Sequence, residues 1–445
     1  MEKIAKKVLE KIKNINNLQA EVFINRTKGL SIEVEKQEIK AFEKSDDLGI
    51  GLRIFKDGKM GFSFCSGTST DAIDYIIENA IKSLDYSTYE SSRRLPENRN
   101  YNYAQYDRNP VDLERVDVKE KIEAAKIIES SGLNVDKRIT KTNKSSYRES
   151  EFEIYVNNTS GICYFQQGTM CGCSVTFIAE EKGVMESGWE IDSGRSFEEL
   201  NFEETGKKAA NKALRMIGAK PISTGLYPVI LDNIVAMEFL QILSSSLCAD
   251  QVQKGKSMFH NKIGELVASE NITLEDNGFH PGAITYFPAD SEGIPVQGTK
   301  LIEKGILKNF LYDTYTANKE NRESTGNGFR PSYKSTPSVG ISNLFITAEE
   351  TKPFNEMVSS ISKGLYVTEA MGVHTANPVT GDFSFGVEGM FIENGKISFP
   401  VRGVMIAGNI IEMIKHIEMV EDRLRFIGRI GAPAIKISSL SVSGN

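Results

Sequence analysis

Histidine is scarce in this sequence, and scattered. His260, His280, His374 and His416 are the four it has, and no HExxH or HExxxH stretch occurs. Two imidazoles about one helical turn apart, with a glutamate beside them, can hold a zinc ion and activate its water. The chain has no local version of that arrangement. Cysteine is short too. Cys65, Cys163, Cys171, Cys173 and Cys248 make an odd total of five, unsuited to a closed disulfide framework. With no export signal in the opening MEKIAKKVLEKIKNI, reduced thiols in a cytoplasmic setting are expected. Cys171-Gly-Cys173 reads as two positions on one face of a strand, in preference to a metal or redox pair. No apolar run reaches the roughly 18 residues of a membrane span. No Lys/Arg block stands out, and the formal net charge is −7. Direct nucleic-acid binding depends on clustered cations that neutralise phosphates, so it is not expected.

What is present is an ordinary globular composition, 40% hydrophobic and 25% charged over 445 residues. That length suggests two to three domains, at about 150 residues each. The predicted fold class is α+β. A basic amphipathic helix opens the chain, followed by strands near Glu21–Asn25 and Leu30–Glu35. GIGLRIF and MGFSFCS flank the turn Lys56-Asp57-Gly58-Lys59; Asp-Gly between alternating apolar runs signals a hairpin. Ile73, Ile76, Ile77, Ala80, Ile81 and Leu84 then fall on one helical face, with Ser69 or Thr70 as cap. These elements predict an N-terminal α+β domain over residues 1–86. Residues 87–116 are polar, carry Pro96, Pro110 and four tyrosines, and read as a connector that packs locally. A middle α+β region over 117–220 holds a helix near Lys119–Ser130, an alternating sheet stretch from Arg138 to Asp192, and a helix from Phe197 to Ile217. Gly218 and Pro221 are stop signals.

Residues 221–445 read as a β-rich domain with few helices. LYPVILD predicts a strand and NIVAMEFLQILSSSLCA a helix; strands and turns follow, interrupted by one helix over GNIIEMIKHIEMVEDRL. The helix over 233–248 is apolar around most of its circumference, which predicts burial. Near the end, GVHTANPVTGDFSFG and NGKISFPVRGVMIAGN alternate short strands with tight turns.

Several of these segments, in this order, resemble the TldD/PmbA family, the so-called modulators of DNA gyrase. GIGLRIFKDGKMGF, KGKSMFHNKIGELVASE, STGNGFRPSY, NPVTGDFSFG and NGKISFPVRGVMIAGN carry the resemblance across most of the chain. Each is weak alone; their order makes the match specific. TldD-type members of the family carry a zinc-protease helix with an HExxxH motif and a downstream cysteine ligand. Counting back from Lys254-Gly255, the two histidine positions fall on Leu240 and Ser245, the glutamate on Gln241, and the cysteine near Ile427. All are lost. The resemblance therefore implies the PmbA type, also called TldE: a partner subunit of a metallopeptidase, without its own metal or cofactor, beside a zinc-bearing TldD-like subunit.

Three residues are candidates for holding a peptide. Arg330 can clamp a carboxylate through a bidentate contact or make a structural salt bridge. His374 lies in a turn, open to a ligand or bonded to backbone. Asp382 can polarise a ligand or satisfy backbone N–H groups in its turn. Glu238 lies near the lost motif but one position short, and is not expected as a base. The implied substrates are unfolded or leader peptides and labile antitoxins, with addition to a strand edge as a natural mode of binding. Two other readings stay open: an independent metallopeptidase with a metal site built from dispersed residues, and a peptide-binding homodimer without catalysis.

Overall fold

In the computed structural model, residues 1–13, 15, 18–103 and 111–444 are described; Tyr106 and Pro110 of the expected connector fall outside them. The two strands expected near Glu21 and Leu30 are one, β1 (Gln19–Glu35). It pairs with β2 (Glu38–Lys56), which turns through Asp57 and Gly58, both at positive φ, into β3 (Lys59–Ser66). The middle region contributes β4 (Ile139–Asn158), β5 (Cys163–Glu181) and β6 (Val184–Gly194). Because β4 pairs with β1, all six form a single antiparallel sheet in the order β3-β2-β1-β4-β5-β6. One sheet thus runs through what the sequence reads as two regions.

Helices cover one face of this sheet. α1 (Glu2–Lys13) and α2 (Thr70–Leu84, capped by Ser69) bury Val8, Ile12, Ile73 and Ile76 against Val22, Ile24, Ile50 and Leu52. α3 (Val118–Leu133) and α4 (Phe202–Arg215) close the other half against Cys173, Val175 and Phe177. Cys171 and Cys173 therefore both point inward on a strand, as their spacing predicts, and both thiols are pushed up to about 12, chiefly by burial.

The C-terminal domain holds two further six-stranded sheets. β7 (Gly225–Leu231) lies inside the second, between the strands Lys363–Met371 and Ile435–Ser443. α5 (Asn233–Ser246) packs between the two sheets; Val235, Phe239, Leu240 and Leu243 share a core with Leu274, Leu344, Leu365 and Phe385. The helix expected over GNIIEMIKHIEMVEDRL is shorter than its pattern. It spans Ile410–Lys415, and Ile417–Val420 leaves it as a strand beside Ile435–Ser443. Ile417 and Val420 are buried in that sheet, so strand pairing overrides the local helical period.

The uncovered face of the first sheet docks on the C-terminal domain, and a buried charge network fastens it there. Arg53 on β2 donates to both oxygens of Glu21 on β1, at 2.9 and 2.5 Å, and to Glu292 at 2.8 Å. Arg330 donates to Glu21 at 2.6 Å and to the Ser291 carbonyl at 3.0 Å, with its guanidinium 4.2 Å from the Phe23 ring centre. Burial alone would raise the Glu21 carboxyl, but Arg53 and Arg330 outweigh it and hold it below its usual range. Beside this lock Tyr333 lies on the sheet and donates to Asp47 at 3.0 Å. A Cβ on Gly49 would sit 2.2 Å from its ring, and one on Gly51 2.5 Å from its carbonyl oxygen. Those glycines are what let the two units touch.

Removing one partner of a buried ion pair leaves the other charge without compensation, at a cost of about 3–5 kcal/mol. Glu21→Ala is expected to lose stability in that range in urea denaturation followed by circular dichroism. A loss below about 1 kcal/mol would show that the network does not fasten the halves.

Candidate functional site

Helix α5 carries three of the four positions at which the resemblance places the zinc motif. Leu240 is 2% exposed, inside the core between the C-terminal sheets. Gln241 and Ser245, four residues apart, are both exposed on the opposite strip of the helix. Five residues at 3.6 per turn leave Leu240 and Ser245 about 140° apart around the axis. Side chains at those two positions of this regular helix point to different environments. The fourth position, Ile427, ends the strand Arg425–Ile427, where the chain turns into Ile430–Ala432. Leucine and isoleucine have no donor atom for zinc, and no group of three or more His, Cys, Asp or Glu among the described residues is placed to hold a metal ion. The residues present do not fit a zinc site.

Arg330 lies apart from the other two peptide-binding candidates, which share one turn region. Arg330 is fully buried in the lock with Glu21, which is the salt-bridge alternative and leaves its guanidinium no exposed edge. His374 is exposed, in a short 3-10 turn over Val373–Thr375. Asp382 accepts from the Asn409 side chain at 2.9 Å, not from the backbone of its own turn; the bonds from Asn409 and Thr380 hold its carboxyl below its ordinary value. Asn377 caps that turn, accepting from Val379 and Thr380 N–H groups. NPVTGD and the Asn409 that ends MIAGN are therefore one structural unit.

Two features were not legible as sites in the sequence. The first is a carboxylate group facing the middle region. Glu369 and Glu388 sit directly opposite each other on paired strands, and Glu238 of α5 lies near Glu369. Burial first, and the neighbouring Glu369 second, push the Glu238 carboxyl up to about 7; its Oε2 is buried without a hydrogen bond. Glu369 is raised by burial, against the pull of Lys212 and a hydrogen bond from Trp189.

The second is a cleft of about 720 Å³ between the first sheet and the C-terminal domain. Its floor is a patch of the sheet's uncovered face: Gly29 and Ser31 of β1, Glu43 and Ser45 of β2, Arg148 and Ser150 of β4, Met170 and Gly172 of β5, Ile191 and Ser193 of β6. Strand alternation puts small side chains on one face here, a signal the sequence holds at every second residue. Ile284, Ile427 and Gly428 of the C-terminal domain close the far side. The position of the lost cysteine ligand is thus a wall of this cleft.

Sequence profiles of the PmbA/TldA metallopeptidase domains match in three consecutive blocks: domain 1 over residues 20–84, the central domain over 111–217 and the C-terminal domain over 224–444. The chain belongs to the PmbA/TldD family. It is 27% identical to the metalloprotease PmbA of Escherichia coli O157:H7, over 96% of this chain and 92% of that protein. It is 28% identical to a metalloprotease TldD homolog of Haemophilus influenzae, over 89% and 87% respectively. A crystal structure from Thermotoga maritima MSB8, of a protein named for modulation of a DNA gyrase, has a TM-score of 0.92 at 26% identity, covering 99% of this chain and 100% of that one. TldE from Thermococcus kodakarensis shares the fold, with a TM-score of 0.89 at 23% identity and complete coverage of both chains. Among the described residues no helix is long and apolar enough to cross a membrane.

Glu238 gives a pH signature with a definite sign. The folded carboxyl titrates near 7, against an ordinary value of 4.5. Between these the unfolded chain releases its proton first, so stability falls as pH rises through that window. Glu238→Gln removes the cost. The variant is expected to melt higher than the wild type at pH 8 and equally at pH 4.5, by differential scanning fluorimetry. An identical offset at both pH values would show that burial does not act on this carboxyl.

Proposed function

We propose that this chain is the PmbA/TldE-type subunit of a TldD-type metallopeptidase: non-catalytic, cytoplasmic, and helping to bind unfolded or leader peptides that a zinc-bearing TldD-like partner cuts. The observation that carries the reading is the occupancy of the motif positions. Leu240 is packed in the core, Gln241 replaces the base, Ser245 faces away from Leu240, and Ile427 lines a cleft. The groups that make hydroxide at neutral pH are absent from those positions, and the apolar cleft wall at Ile427 suits binding. A surface that orients substrate raises a partner's rate because held geometry lowers the entropic part of the barrier.

The chain alone is expected to leave an unfolded test peptide intact. The TldD-like partner alone cuts slowly or not at all, the mixture cuts, and chelation of metal stops it; mass spectrometry of the peptide reads each case. Cleavage by this chain alone, unaffected by the partner, would defeat the proposal. Elemental analysis supplies a second check. The isolated chain is expected to carry far less than one zinc per molecule, and about one tightly held zinc would overturn the non-catalytic assignment.

A further inference from the structure

The cleft at Ile427 differs in character from the other cavities. The cavity under Arg94, Arg99 and Arg322, and the one between α4 and the N-terminus of α5, carry clustered charges, several of them already engaged in ion pairs. The interdomain cleft has glycine or serine on every strand of its floor, interspersed with Glu43, Arg148, Met170 and Ile191, and Ile284 and Ile427 on its far side. Its volume lies within the roughly 300–1,000 Å³ of ligand-binding pockets.

The floor crosses five adjacent strands, from Ser45 on β2 to Ser193 on β6. Four inter-strand spacings of about 4.8 Å make a track of roughly 19 Å. An extended peptide advances about 3.3 Å per residue, so the track holds about six residues. Small floor residues let a peptide backbone approach closely: the Ser45 hydroxyl would lie 3.0 Å from a Cβ on Gly29, so nothing bulkier stands above the strands there. The serine hydroxyls offer both donors and acceptors to peptide groups. Met170, Ile191, Ile284 and Ile427 offer apolar contact to alternate side chains.

Charge fixes the direction. Two ionisable groups flank Ser31 on the floor, Glu43 on β2 and Arg148 on β4. Arg148 is engaged, donating to Glu33 at 3.2 Å. Glu43 makes no ion pair among the described residues and is exposed on the cleft floor. A peptide's free amine is a cation complementary to it. We propose that the cleft receives the N-terminal segment of an unfolded peptide, about six residues of small and apolar character. The terminal ammonium sits at Glu43 and the chain runs over the sheet face toward Ile427. This rests on the peptide-binding reading above and adds its location, polarity and side-chain preference; the peptide lies across the strands, not along a sheet edge.

The probe is a hexapeptide of alanine, leucine and serine with fluorescein on its C-terminal end, titrated with the full chain by fluorescence polarisation. Saturable binding of the free-amine form is expected. An N-acetylated form binds roughly two- to fivefold more weakly, as suits one exposed ion pair, and Glu43→Gln abolishes that difference. Ser45→Trp, a substitution at an exposed position over the floor, lowers affinity at least about tenfold, whereas Lys44→Trp on the opposite face leaves it unchanged. No saturable binding, or binding indifferent to Ser45→Trp, overturns the cleft; equal binding of both peptide forms overturns its polarity. Cleavage by the mixture with the TldD-like partner separates the two proposals. If the mixture cuts and Ser45→Trp changes neither binding nor cutting, the cleft falls and the subunit reading stands. If the cleft binds as described and the mixture never cuts, the subunit reading falls alone.

Discussion

Four buried charged side chains decide how the two halves of this molecule sit. Glu21 and Arg53 belong to neighbouring strands of the first sheet, Arg330 and Glu292 to loops of the C-terminal domain, and all four meet within direct hydrogen-bond distance. Taking such charges out of water is costly, and their attraction compensates only when the geometry is good. That makes the contact intolerant of sliding: a shift of one residue would strand a guanidinium or a carboxylate in the interior. Further carboxylates sharpen the demand. Asp290 is raised well above its ordinary value by burial and by Glu292 beside it, even though it accepts three backbone N–H groups. Specific placement, more than net stability, is what this network contributes.

The uncovered face of the first sheet is consequently divided along its length. At the end near Glu21 it is locked, with Tyr333 pressed on Gly49 and Gly51. At β6 it is held again, where Arg425 donates to Glu190 and to the Ile191 carbonyl. Between these two attachments the surfaces diverge, and every strand of the floor carries a glycine or serine there. The space between domains is thus a by-product of two fixed contacts, of whose residues only Ile191 lines it.

The local elements were largely legible in the sequence. The Asp57-Gly58 hairpin, the Ser69 cap and the burial of α5 follow from short-range pattern. The failures have one cause: partners remote in sequence. Gly49 and Gly51 look like hairpin residues until Tyr333 is placed over them. Arg330 left two roles open because nothing near it in the chain names Glu21 as its partner. Glu238 read as an irrelevant neighbour of a lost motif; its unusual carboxyl comes from burial by the tertiary fold first, and second from Glu369, which a strand remote in sequence supplies. Likewise the strand at Ile417–Val420 takes its shape from Ile435–Ser443, not from its own helical period. The cleft floor was written in alternating small residues on five strands, but only pairing registers show that they coincide.

The strand order also has a consequence for the chain as it leaves the ribosome. β1 is an interior strand, yet its second neighbour is β4, which ends at Asn158. Synthesis at about 5–20 residues per second leaves the α1–β1–β2–β3–α2 unit with a bare β1 edge for on the order of 10 s. An unpaired edge is a template for the wrong chain. β1 carries Arg26, Lys28 and Glu33 along the stretch that waits, and the completed fold gives these charges to Asp46, Glu114 and Lys144. The same side chains that decorate the finished sheet are placed to guard the nascent one against pairing with a neighbouring polypeptide.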